Sequence, residues 1–305
     1  MPEPELHVVT GAFSYTGKYI TRRLIADGIR VRTLTNHPDR PHEFGDAVST
    51  APFDFSRPAA LVESLRGASV LYNTYWVRFS HGSTTFDRAI TNTKTLITAA
   101  EGAGVRRIVH VSIANPSLDS PLPYYRGKAQ LEEAITSSRL SYAILRPTVI
   151  FGGEDVLINN IAWLLRHFPV LAILGDGRYR MRPIHVEDMA KLAVDCARRD
   201  DNVVIDAVGP ETYTFNELIA LLKRTLNCRS RIVHLPPSVA LYLSRVIGIF
   251  LRDVILTPDE VAGLTADLLV TDGPATGAIR LSDWIRTNAD SIGTHYASEL
   301  ARHYR

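Results

Sequence analysis

Short apolar runs rich in β-branched residues recur at residues 6–9, 31–34, 69–73, 107–111, 142–145 and 203–206, and segments of helical period fall between most of them. Residues 18–27 put Ile20, Leu24 and Ile25 on one helical face before Gly28 supplies a stop, and residues 96–103 repeat the pattern before Gly104. Strand and helix alternating in this way predict a parallel sheet covered on both faces, because each crossover helix must hide one face of the strands. The fold class expected is a doubly wound α/β core. Beyond residue 151 the rhythm loosens into helices at 157–167, 216–226, 239–256 and 258–269, with a tight turn at Gly175-Asp176-Gly177. We therefore expect the core over residues 1–150 and a smaller, mainly helical lobe over residues 151–305, with 183–208 returning to the core sheet. Such a lobe is expected over the strand ends, where open α/β sheets bind ligands.

Composition narrows the classes. With 305 residues, 46% of them hydrophobic and 22% charged, the chain can bury a large core. The formal net charge of +2 and the absence of any long Lys/Arg run argue against nucleic acid as a partner. Cys196 and Cys228 lie in segments of helical pattern, outside any C-x-x-C pair or His cluster, which argues against a disulfide or a zinc site. The acidic start Met1-Pro2-Glu3-Pro4-Glu5 lacks the basic and apolar parts of a signal peptide, so a cytoplasmic location is expected. Residues 239–256 are strongly apolar, yet Arg245, Arg252 and Asp253 interrupt them. They fall short of a span of roughly 20 apolar residues, and a helix packed on its own lobe is favoured over a peripheral membrane contact. The oligomeric state is left open.

The first strand runs into Thr10-Gly11-Ala12-Phe13-Ser14-Tyr15-Thr16-Gly17. A glycine after a strand allows a tight turn, and one at the start of the following helix lets helix and strand pack closely beneath a pyrophosphate. Gly11 and Gly17 occupy those positions, while Ser14 replaces the middle glycine of a G-x-x-G-x-x-G pattern. Strand before and helix after carry more weight than the letters, and the expectation is a Rossmann turn binding NAD(H) or NADP(H) through Gly11, Phe13, Ser14, Tyr15, Thr16 and Gly17. At the end of the second strand an acid would favour NAD and an arginine NADP. The sequence has no acid at the strand end, and Asn36, His37 and Arg40 can approach a 2′-phosphate, which leans the reading to NADP(H).

Tyr124 and Lys128 stand four apart in a segment of helical pattern that follows Pro121 and Pro123, and so share a helix face. A cation beside a phenol favours the phenolate, so the pair can give or take a proton near neutral pH, and Lys128 can also bond the cofactor ribose.

Taken together these residues resemble the atypical branch of the extended short-chain dehydrogenase/reductases. The likeness is closer to the group that includes the NAD(P)-binding accessory subunit of respiratory complex I, with NmrA-like regulatory proteins further off. Beside the turn and the Tyr124/Lys128 pair, the likeness rests on Asp54-Phe55, Asn92, and Gly104-Val105-Arg106-Arg107-Ile108-Val109-His110-Val111-Ser112. It continues in Leu145-Arg146-Pro147-Thr148-Val149-Ile150-Phe151-Gly152, Gly175-Asp176-Gly177 and Pro183-Ile184-His185-Val186-Glu187-Asp188. The resemblance implies that Asp54, after a third strand, holds the adenine amino group and that Phe55 covers the ring. It implies that Asn73 to Tyr75 line the nicotinamide ribose and that Pro147 and Val149 flank the nicotinamide. It also implies that the segment at His185 anchors the lobe, and that Ser112 assists Tyr124 and Lys128 in catalysis.

Two departures matter. Ile113 stands where the extended branch commonly has a second hydroxyl, which removes one stabiliser of a developing oxyanion. Tyr75 and Trp76 stand where small residues are usual. Two functions follow: an NAD(P)-dependent oxidoreductase or epimerase-like enzyme with a small-molecule carbonyl or alcohol substrate, or an accessory or redox-sensing protein that holds NADP(H) with little or no catalysis. A lipid-like or quinone substrate brought by residues 239–256 is a third.

Overall fold

A computed structural model describes residues 5–300 apart from 81, 83 and 299, with only the backbone of Phe250. The chain divides into two compact units, Met1–Pro147 with Val186–Ala207, and Thr148–His185 with Val208–Arg305.

The first unit contains β1 (Leu6–Thr10), α1 (Tyr15–Ala26), β2 (Arg30–Thr35), β3 (Val48–Pro52), α2 (Pro58–Leu65), β4 (Ala68–Asn73), α3 (Phe86–Gly102), β5 (Arg107–Val111), α4 (Pro123–Thr136) and β6 (Ser141–Pro147), then the helix Val186–Ala197 and the strand Val203–Ala207. Its seven strands lie in the order Val203–Ala207, β6, β5, β4, β1, β2, β3, and every pairing is parallel. The order reverses between β1 and β4, which opens a crevice at their carboxyl ends. The doubly wound fold expected from the pattern is therefore present. Helix α1 packs with Val186–Ala197, while α2, α3 and α4 pack side by side. Leu61, Leu65, Leu96 and Ile135 of these last three helices close over Leu34, Leu71, Ile108 and Ile144 of the sheet. Burial at roughly 25 cal/mol per Å² of apolar surface is what holds such layers together.

Strand β3 was not among the apolar runs, and its place explains why. It is the edge strand, with Ser49 and Thr50 exposed, so it needs no apolar signature on either face. Arg107 in β5 is fully buried. Its guanidinium donates to the carbonyl oxygens of Cys196 and Asp201, both at 2.9 Å, and so satisfies carbonyls at and beyond a helix C-terminus that would otherwise be orphaned.

In the second unit the helices Leu157–His167, Phe215–Thr225, Pro237–Leu251 and Pro258–Thr265 fall close to the expected ones, and a short further helix, Leu281–Thr287, was not among them. The pattern did not show a parallel pair of strands, Val170–Leu174 with Arg231–Leu235. One side of each is exposed and both are short, so their apolar runs are broken. Among the described residues, helix Pro237–Leu251 packs on its lobe along one side. Ala240 and Leu241 meet the cluster of Leu174, Tyr179 and Val261, whereas Tyr242 is 67% and Ile249 76% exposed. Among the described residues no helix is long and apolar enough to cross a membrane. Cys196 and Cys228 are free thiols.

Candidate active site

The turn after β1 is held by the side chains of Ser14 and Thr33. Gly11 adopts φ 71°, in the left-handed region that glycine enters without strain. Ser14 points its hydroxyl back to the Gly11 carbonyl at 2.6 Å and makes no side-chain cap to α1. No acid stands in the first turn of α1 either. The helix N-terminus therefore keeps backbone donors and a positive dipole end for an anion. A Cβ on Gly17 would lie 2.1 Å from the Gly11 carbonyl oxygen, so the close approach of turn and helix requires glycine there. Thr33, fully buried in β2, accepts from the Ala12 N–H at 3.1 Å and donates to the Val9 carbonyl at 3.0 Å, which fixes the turn to the sheet. This is a cradle that a pyrophosphate fits.

Beyond β2, Asn36, His37 and Arg40 are all exposed, in a loop tightened by the His37 N–H on Thr35 Oγ1 at 3.0 Å. Phe13 stacks on His42 with ring centroids 3.9 Å apart and lies 6.4 Å from Phe44. The sequence reading missed His42 and Phe44, since nothing in their spacing ties them to Phe13. Asp54 accepts from Ser56 N at 2.9 Å, Ser56 Oγ at 2.6 Å and Arg57 Nε at 2.6 Å. The bonds from Ser56, with Arg57 next, hold its carboxyl down at about 2. Phe55 packs with Phe53 and Tyr75 at 4.5 Å and 5.4 Å, and the Tyr75 hydroxyl accepts from Asn92 at 3.0 Å. Asn73 is fully buried. Its amide accepts from Thr10 and from Tyr75 N and donates to His110 Nδ1 at 3.0 Å. Burial, with the nearby Lys128, keeps His110 far below its ordinary pKa and hence neutral.

Helix α4 starts at Pro123, whose missing N–H costs nothing at a first helical turn. Its one-turn spacing brings Tyr124 and Lys128 against the same indole. The Trp76 ring lies edge-on to Tyr124 at 5.7 Å, and Lys128 Nζ sits 4.6 Å from its centroid. Lys128 is 2% exposed and donates to the Val111 carbonyl at 2.8 Å. Burial drives its pKa down to about 7, opposed by the Glu132 charge. One turn further along, Glu132 accepts from Ser112 Oγ and from Arg146, both at 2.5 Å. Glu132 and Arg146 were not singled out in the sequence, although Glu132 continues the Tyr124/Lys128 face at the same spacing. Ile113 is buried. Pro147 ends β6 and accepts from Ala114 N at 2.8 Å. Val149 belongs to the core of the second unit, and the buried His185 packs on Phe151 and Trp284 at 5.1 Å and 6.1 Å.

A family model described as NAD(P)H-binding matches residues 11–200, well over half of the chain. The chain belongs to this NAD(P)H-binding family. Curated relatives include the mitochondrial NADH dehydrogenase (ubiquinone) 1 alpha subcomplex subunit 9 of Arabidopsis thaliana, 26% identical over 87% of this chain and 70% of that protein. They also include a ceramide reductase of Caulobacter vibrioides, 29% identical over 75% of this chain and 73% of that one. Among solved structures, the UDP-glucuronic acid 4-epimerase of Bacillus cereus, determined with UDP-glucuronic acid and NAD, superposes with a TM-score of 0.67 at 19% identity over 94% of this chain and 98% of that one. The matched segment includes the turn from Gly11 to Gly17, and the fold is that of the short-chain dehydrogenase/reductase-like epimerases. The relatives differ in what their names say they do, so the activity has to be argued from this chain's own residues.

Proposed function

We propose that this chain is an NAD(P)-dependent oxidoreductase or epimerase-like enzyme acting on the carbonyl or alcohol carbon of a small molecule. The observation that carries the reading is the placement of Tyr124 and a buried Lys128 on one face of α4, with the Lys128 pKa brought to about 7. Bound NAD(P)H supplies the hydride. Tyr124 holds the proton exchanged with the substrate oxygen, and Lys128 sets the charge beside the phenol. NADP(H) is preferred to NAD(H), because the loop after β2 presents Arg40 and His37 with no acid at the strand end. The test is consumption of NADPH or NADH by the purified protein with a panel of ketones, aldehydes, quinones and nucleotide sugars, and its loss in Tyr124→Phe. Turnover unchanged in that variant removes the mechanism.

A second reading, an accessory or redox-sensing protein that holds NADP(H), is favoured by Ser112 and Ile113. The Ser112 hydroxyl is directed at Glu132, and Ile113 supplies no donor where a second hydroxyl would stand. Saturable cofactor binding without turnover across the whole panel selects this reading.

Helix Pro237–Leu251 supports a peripheral membrane contact beside either function. Exposed Tyr242 and Ile249 lie on one face with Arg245, next to Arg252 at the helix end, the mixture an anionic lipid surface attracts. Co-sedimentation with anionic vesicles checks it, and absence of any bound fraction removes it. A cytoplasmic setting belongs to the same reading and is checked by cell fractionation.

A further inference from the structure

The side chain of Trp76 occupies the space in front of the very groups on which catalysis depends. The indole stacks on Phe86 at 5.9 Å and 19°, meets Tyr124 at 90° and lies under Lys128 Nζ. Its Cη2 rests against Gly127, where a Cβ would come within 3.0 Å of it and of Ile90 Cδ1. The absence of a side chain at Gly127 is what makes the slot. Lys128 is 2% exposed with Trp76 in place, so a ligand that touches Nζ must displace the ring or the lysine. The lysine is the less free of the two, being bonded to Val111 at 2.8 Å. The ring is held by packing and by its cation–π contact without a hydrogen bond, since Trp76 Nε1 is buried and has no hydrogen-bond partner among the described residues. An unsatisfied buried donor is costly and is satisfied as soon as the indole turns toward water. Closed and open positions of the ring therefore differ by opposing terms, the condition for a two-position element.

We propose that Trp76 is a gate on the nicotinamide end of the site. With the indole in its slot the cradle at Gly11 and Gly17 accepts the adenosine-phosphate part of a dinucleotide, and contact with Tyr124 and Lys128 waits for the ring to leave. This rests on the cofactor reading above and adds to it that only the open fraction of the protein takes the whole cofactor. The apparent affinity for the whole dinucleotide is then reduced by that fraction, and the affinity for a fragment lacking nicotinamide is not.

Isothermal titration of the full chain with NADPH and NADH, and with adenosine 2′,5′-bisphosphate and ADP as nicotinamide-free fragments, separates the two. In Trp76→Ala the preferred dinucleotide is expected to bind about tenfold tighter, while its fragment stays within about twofold of the unmutated protein. Gly127→Ala, which crowds the slot from the helix side, is expected to move dinucleotide binding in the same direction, and Trp76→Phe, which keeps a ring in the slot, to move it less than Trp76→Ala. Circular dichroism confirms that each variant is folded; should Trp76→Ala fail to fold, Gly127→Ala and Trp76→Phe decide. Dinucleotide affinity that is unchanged or weaker in the folded variants overturns the gate while leaving the cofactor reading intact. Binding of neither dinucleotide nor fragment by any of these proteins overturns the cofactor reading, and the gate with it.

Discussion

At the turn from Gly11 to Gly17 no side chain caps α1 and no acid stands in its first turn, whereas around Tyr124 and Lys128 aromatic and charged side chains pack closely on one another. The turn is shaped by what is missing, namely a Cβ at Gly17 and a side-chain cap or acid on α1. The other end is shaped by what has been added: Trp76 and Phe86 packed on Tyr124 of α4, and a chain from buried Ser112 and Glu132 to half-buried Arg146. A helix start without a side-chain cap or an acid is where an anion is favoured. At the second end Lys128, Ser112 and Glu132 are already engaged within the protein. On the proposed reading, binding of the cofactor and its use are therefore separable, and variants at the two ends can tell them apart.

The largest expected effect lies at the open end. Gly17→Ala places a methyl 2.1 Å from the Gly11 oxygen; overpacking of this kind costs about 1–3 kcal/mol of stability, and the turn it forces apart is expected to lose measurable dinucleotide binding in a titration. A variant that binds NADPH as the unmutated protein does would break the comparison on its first side. Next, Tyr124→Phe is expected to lower turnover by about 10²-fold or more with dinucleotide affinity within about twofold, read by steady-state kinetics and by titration.

A third effect is on stability as a function of pH. Folded, Lys128 releases its proton near 7, against an ordinary value of 10.5. Between these values the unfolded chain binds more protons, so this lysine makes stability rise with pH, by at most about 1.4 kcal/mol per unit. Its contribution is fully present only above 10.5 and is lost as pH falls through 7. Asp155 in the second unit acts with the opposite sign. Burial raises its pKa from 3.8 to about 7, against the bonds it accepts from Ile158, Gly152 and Asn159, so its contribution is full below 3.8 and is lost as pH rises to 7. Denaturant unfolding across pH is expected to lose the upper rise in Lys128→Met and the lower fall in Asp155→Asn. The smallest effect is cofactor choice: Arg40→Ala is expected to weaken NADPH about fivefold and leave NADH unchanged, as befits one exposed ion pair.

The same contrast decides what could be read from the sequence. The parallel sheet was legible because β1, β4, β5 and β6 are largely buried and spell continuous apolar runs, while β3, half-exposed at the edge, left no such mark. Gly11 and Gly17 were legible because the backbone itself demands glycine. The pair Tyr124 and Lys128 was legible from a helical spacing, but its environment was not. The contacts of Trp76 with Lys128, of Ser112 with Glu132, and of Asn73 with His110 join residues from different strands and helices, and no local pattern encodes a meeting of that kind. The pair of strands Val170–Leu174 and Arg231–Leu235 was missed for the related reason that each hides only one side.

The central claim is that a dinucleotide seats on the cradle between β1 and α1. Calorimetric titration of the purified, unmutated chain with NADPH and then NADH tests it most directly. The account predicts saturable binding at one site per chain, tighter for NADPH and abolished in Gly17→Ala. Absence of saturable binding of either dinucleotide, or binding that survives in a folded Gly17→Ala protein, would contradict it.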